Sequence, residues 1–146
     1  MKNATKDTRK MSTPQSLKNW FVAHFLVDMV FAIPMMLAPT AFLKMFGWQT
    51  VDPVLTRVGA AALLGIGIES YLGRDAGVEQ YRGMLNLKII WSSSALAGIG
   101  ISLLQGAQGS PPAGWMIWGI FLLFDLVWIY YRMKLGAIKG KAAKPE

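Results

Sequence analysis

Four stretches of the chain, at about residues 17–38, 53–73, 82–104 and 113–132, are almost continuously apolar, and the polar residues collect between and beyond them. Each stretch is about 20 residues long. At about 1.5 Å of rise per residue, a helix of that length crosses a hydrocarbon layer about 30 Å thick. Ser16 is placed to cap the first span, and Pro34 near its far end should bend it. Asp52 and Pro53 open the second span, while Pro111 and Pro112 suit the first turn of the fourth. Between spans 1 and 2 lies PTAFLKMFGW, in which Thr40 can cap and Gly47 can terminate. Phe42, Leu43, Met45 and Phe46 give it the apolar face of a helix of about two turns that lies flat at the membrane interface.

The expected fold is therefore all-α: an antiparallel bundle of four transmembrane helices, with a short interfacial helix between spans 1 and 2. Residues 1–16 read as a mobile basic tail, 17–133 as one membrane domain and 134–146 as a second basic tail. A cleaved leader is the rival reading of the N-terminus. His24 and Asp28 interrupt the apolar stretch and no small-residue cleavage site follows, so span 1 is expected to be a true span.

Composition agrees with lipid surroundings: 53% of the residues are hydrophobic and 16% charged. The net charge of +7 would point to nucleic acid in a water-soluble chain, but here the basic residues sit in tails and connections, which fits a membrane surface and excludes a nucleic-acid partner. Their distribution also sets orientation. Lys2, Lys6, Arg9, Lys10 and Lys18 precede or open span 1; Arg74 and Arg82 flank the 2–3 loop; Arg132, Lys134, Lys139, Lys141 and Lys144 follow span 4. The 1–2 connection has Lys44 alone and the 3–4 loop has no basic residue. Both termini are expected on the cytoplasmic side of a prokaryotic inner membrane. The chain has no cysteine and one histidine, which excludes disulfides, thiol catalysis, Cys-based zinc sites and bis-His haem within one chain.

The chemistry of interest lies inside the spans. A charge at the centre of a span costs about 2.5–3.5 kcal/mol, and a Leu, Ile, Phe or Val there returns only about 0.3–0.6. Asp28 should therefore face the bundle interior, together with His24 one turn before it. Glu69 in span 2, Lys88 in span 3 and Asp125 in span 4 fall at similar depth once the direction of each span is considered. Asn86, Ser70, Ser92 and Ser94 are candidate hydrogen-bonding partners. Arg57, Ala61, Gly65 and Glu69 recur at steps of four, and Ser94, Gly98 and Ser102 repeat the pattern on span 3, which marks both stripes as helix-packing faces. Arg57 near the outer end reads as a snorkelling structural residue.

Three uses of the five ionisable residues are open: a salt-bridged network that fixes helix register, a pocket for a lipophilic ligand, or a route for protons or cations. Lys88 competes for the carboxylates, so no metal site is expected. No nucleotide-binding glycine pattern is present, because GAAALLGIG belongs to a span with no strand before it.

Pro39, Phe42, Phe46 and Gly47, followed by LTRVGAAALLGIG from Leu55 to Gly67, resemble the small four-span prokaryotic membrane proteins that are broadly DoxX-like. The resemblance implies the four-helix architecture and a link to quinone-associated redox chemistry, with no motif that assigns a catalytic residue here. The small multidrug transporters are another four-span class, but they are shorter and carry an essential Glu in the first span where this chain has Asp28. The leading expectation is a non-enzymatic ligand-binding or accessory module with no resident cofactor, a quinone or lipid being the candidate ligand and a membrane-protein partner or second copy the candidate neighbour. The alternatives are a DoxX-like oxidoreductase or isomerase of a lipophilic substrate, and a proton- or cation-coupled transporter.

The orientation is directly testable. Reporter fusions at residue 1 and residue 146 should both signal the cytoplasmic side, and a fusion in the 3–4 loop should signal the opposite one.

Overall fold

The computed structural model describes the backbone of residues 13–142 and the side chains of residues 13–137. Lys2, Lys6, Arg9 and Lys10 of the first tail, and the side chains of Lys139, Lys141 and Lys144, lie outside the described residues. Five α-helices follow in chain order: α1 (Gln15–Leu37), α2 (Pro39–Met45), α3 (Pro53–Leu72), α4 (Val78–Leu104) and α5 (Pro112–Ala142). Single 3-10 turns at Gly73–Asp75 and Ala107–Gly109 join α3 to α4 and α4 to α5. No strand occurs among the described residues, and four of the helices are long and apolar enough to cross a membrane. Their outward faces carry large apolar side chains: Leu26, Val30, Leu87, Ile90, Leu123 and Leu126 are each more than half exposed. In water such a surface would be an aggregation site; in lipid it is the expected contact.

The helix ends show local causes. Asp52 caps α3, its Oδ1 accepting from Val54 N at 2.8 Å and Leu55 N at 3.1 Å. Pro53 and Pro112 occupy first helical positions, where the missing N–H is no loss. Two expected caps fail. The N-cap of α1 is Pro14 rather than Ser16, with no side-chain cap bond, and α2 begins at Pro39 after Ala38, which leaves Thr40 inside the helix. The fourth span also overruns its expected end. The helix continues to Ala142 through part of the expected tail, where the good helix formers Lys, Ala and Leu outnumber two glycines, Gly136 and Gly140.

The closest packing is within two antiparallel pairs, α1 against α3 and α4 against α5. On α3 the inward line is Thr56, Ala60, Gly67 and Ser70. Gly67 is the point of nearest approach: a methyl group there would lie 2.8 Å from Asp28 Cβ and 2.9 Å from Asp28 Oδ2. On the other pair, a methyl group at Gly114 would meet Leu103 Cδ2 at 2.7 Å.

Between the pairs, contact is made by large side chains at the end where the termini and the α3–α4 turn lie, here called the terminal end. Lys18 Nζ reaches Asp75 Oδ1 at 3.0 Å across this end. Phe21 packs on Tyr81 at 4.7 Å and on Trp128 at 5.4 Å, and Phe124 stacks on Trp128 at 5.6 Å. With Leu17, Leu85 and Leu135 these rings form the hydrophobic core. At the far end the pairs are bridged instead by α2 and by the α4–α5 connection. Gln108 is the clasp: its Oε1 accepts from Gln49 N at 3.0 Å and Thr50 N at 2.8 Å, and its Nε2 donates to Thr50 Oγ1 at 2.7 Å.

Gly67→Ala tests the close approach of α1 and α3. The added methyl should force Asp28 and the α1 backbone aside and cost about 1–3 kcal/mol, read as a lower unfolding midpoint of the detergent-solubilised protein.

Candidate functional site

The buried polar residues of the described chain include His24, Asp28, Ser70, Lys88, Ser92 and Asp125, drawn from all four long helices. Lys88 is at the centre. Its Nζ donates to Ser70 Oγ at 2.6 Å and to His24 Nδ1 at 3.1 Å, and stands 5.0 Å from the ring centres of both Phe21 and Trp128. Ser70 in turn donates to the Ile66 carbonyl at 2.6 Å, which leaves its lone pairs for the lysine. Among the described residues Lys88 has no carboxylate within ion-pair distance, and its ammonium is held by two hydrogen bonds and two aromatic faces.

His24 Nδ1 is contested. It lies 3.1 Å from Lys88 Nζ and 3.0 Å from Asp28 Oδ2, yet Asp28 Oδ2 is buried without a hydrogen bond. One ring nitrogen cannot serve both neighbours at once. With a lone pair it accepts from Lys88; only with a proton can it donate to Asp28. The imidazole is held edge-on to Phe124 and Trp128, at 4.8 and 5.3 Å between ring centres.

Two of the five expected residues stand apart from this group. Asp125 serves the α4–α5 pair: Ser92 Oγ donates to its Oδ1 at 2.6 Å, and Ser93 Oγ lies 3.3 Å from both carboxylate oxygens. Glu69 is exposed, and the hydrogen bonds of Lys88 go to Ser70 and His24 rather than to Glu69 or Asp125. The stripe Arg57, Ala61, Gly65 and Glu69 is the outward face of α3, and Ser94, Gly98 and Ser102 are likewise exposed on α4. A methyl group at Gly65 or Gly98 would meet nothing within 4 Å among the described residues, whereas the buried line of α3 runs through Ala60 and Gly67. Arg57 has the expected structural role, its Nε donating to the Met36 carbonyl at 3.1 Å near the end of α1. Asn86 accepts from Arg132 Nε at 2.6 Å on an exposed face, away from the polar group.

The sequence leaves a pocket open as one use of these residues but does not place it. A cavity of ≈ 320 Å³ runs between the two helix pairs. His24, Asp28, Lys88 and Ser92 supply its polar wall, and Phe31, Leu63, Trp91, Ile99, Ile117 and Phe121 are among its apolar lining. Phe42, Leu43, Phe46 and Trp48 line it from α2 and the segment after it. The apolar face expected for α2 is thus partly turned into the bundle, while Met45 is exposed. Among the described residues no cluster of three or more His, Asp or Glu is arranged to hold a metal ion.

Asp125→Ala should separate the structural acid from the cavity residues. Loss of the Ser92 and Ser93 bonds should cost about 1–3 kcal/mol in a detergent unfolding titration while the cavity itself stays intact.

Comparisons with family models, with curated proteins and with solved structures find no match to this chain.

Proposed function

We propose that this is a multi-pass membrane protein that binds a lipophilic small molecule in the cavity between its helix pairs, with the molecule's polar end against Lys88, His24 and Asp28. One observation carries the reading: a ≈ 320 Å³ space, apolar over most of its wall, ends on a buried lysine that has no ion-pair partner among the described residues. Such a pocket, with a few convergent polar groups, is the usual form of a small-molecule site. An ionisable residue within a membrane span is a functional candidate by default.

The third N–H of a protonated Lys88 has no acceptor among the described residues, so an oxygen acceptor on the ligand suits it. A neutral head such as a carbonyl brings no further charge into hydrocarbon. A quinone has this chemistry, as the DoxX-like resemblance would imply. Transport of protons or cations has less support, because beyond the polar group the named wall residues are Phe, Leu, Ile and Trp. The excess of Lys and Arg at the terminal end supports a cytoplasmic location for both termini.

Trp48, Trp91 and Trp128 line the cavity, so their fluorescence reports binding. Titration of the purified protein with a long-chain ketone, a long-chain alcohol and a short-tailed quinone should give a saturable change for at least one of them. Ala95→Trp, on the cavity wall, should weaken that binding by about tenfold or more, equivalent to at least ~1.4 kcal/mol. A purely linear response for all three probes would overturn the proposal.

A further inference from the structure

We infer that Lys88 is a carbonyl-reactive lysine and that the cavity takes lipophilic aldehydes or ketones as iminium adducts on its Nζ; this rests on the lipophile-binding reading above. Lysine becomes a nucleophile when it is held out of water in an apolar pocket beside a proton acceptor. Both conditions are met. Lys88 is 3% exposed on a largely apolar cavity wall, and His24 Nδ1 lies 3.1 Å from its Nζ.

The orphaned oxygen of Asp28 gives the proton a destination. While Nδ1 accepts from Lys88, Asp28 Oδ2 is buried with no donor. Transfer of one proton from the lysine ammonium to Nδ1 leaves the imidazolium charge beside the Asp28 carboxylate, whose Oδ2 is 3.0 Å away. The same step frees the lone pair of Lys88. The attraction between the imidazolium and the carboxylate offsets part of the work of taking a proton from the ammonium.

The chemistry then balances. The amine attacks the carbonyl carbon, a C–N bond forms, and the oxygen takes a proton from the new ammonium to give a carbinolamine. The imidazolium returns its proton to that hydroxyl, the C–O bond breaks, and one water leaves. The net change converts an ammonium and a carbonyl compound into an iminium and water, with the positive charge conserved at the same nitrogen. That cation inherits the surroundings of the ammonium, namely the Asp28 and Glu69 carboxylates and the faces of Phe21 and Trp128.

The test is reductive trapping on the full-length protein with dodecanal and cyanoborohydride, with adducts mapped by peptide mass spectrometry. Exposed Lys44 and Lys134 are internal references. Lys88 should be alkylated about 10²-fold faster than Lys44, the lower range of what a positioned proton acceptor contributes. His24→Gln should remove most of that advantage and leave the Lys44 rate unchanged. Labelling of Lys88 no faster than Lys44, in wild-type protein that binds dodecanol saturably by tryptophan fluorescence, overturns this inference and leaves lipophile binding standing. Absence of both labelling and binding overturns both.

Discussion

Hydrocarbon offers no hydrogen bonds, so a polar atom inside the four spans has to find its partner within the chain. Most of this structure can be read as the set of answers to that constraint. Ser70 returns its proton to the Ile66 carbonyl and Ser102 to the Gly98 carbonyl, each one turn back on its own helix. Trp118 Nε1 donates across the α4–α5 seam to the Leu96 carbonyl at 3.0 Å, and Arg57 reaches from α3 to the Met36 carbonyl of α1. Asp125 is met by two serines of the adjacent helix. Asp28 Oδ2 is the exception in the middle of the bundle, on the same cavity wall as the one lysine buried among the described residues.

The two ends of the bundle solve packing in opposite ways. At the terminal end, Phe21, Tyr81, Phe124 and Trp128 fill the seam between the helix pairs, and large rings in tilted, edge-to-face and stacked contact leave little room. Farther along, the lining residues no longer fill the gap, and α2 contributes to the cavity wall. Gln108 holds the segment after α2 with three hydrogen bonds although it sits at φ 57°, a left-handed conformation that a residue with a side chain adopts at some cost. That cost, and the neighbouring Ser110 at φ 48°, are tolerated where the loop must turn tightly to bring Gln108 onto Gln49 and Thr50. The fold therefore has a rigid aromatic base and a clasped far end, with the polar group on the cavity wall between them.

Much of this was legible in the sequence, and the limit has a physical origin. Span positions depend on local hydropathy, and α1, α3 and α4 start or end within a few residues of expectation. Overrun of α5 to Ala142 was hidden because Lys- and Gly-rich sequence reads as a tail even where helix propensity persists. Rotation of each helix about its own axis is a long-range property. Span 2 carries small residues on two adjacent lines, Ala61 with Gly65 and Ala60 with Gly67, and periodicity does not choose between them. The choice is made by Asp28, whose carboxylate needs a glycine opposite it. Once Gly67 faces inward, Ser70 follows it and Glu69 is turned out, so the same rotation decides which partner Lys88 receives. A cavity is less legible still, since it exists only in the fit between elements.

The polar group also explains why neutral serine rather than Glu69 meets Lys88. A second carboxylate beside Asp28 would leave the buried site with net negative charge, and like charges at short range in a low-dielectric interior are strongly unfavourable. Ser70 satisfies an N–H of the lysine without adding charge, and His24 accepts another while able to become a donor. What distinguishes the arrangement from a static ion pair is that Lys88 and Asp28 both stand beside one ring nitrogen, which can accept from the first or carry a proton close to the second. A network meant only to fix helix register would be better served by the Asp125 pattern, in which the acceptor has its donors and nothing is left over.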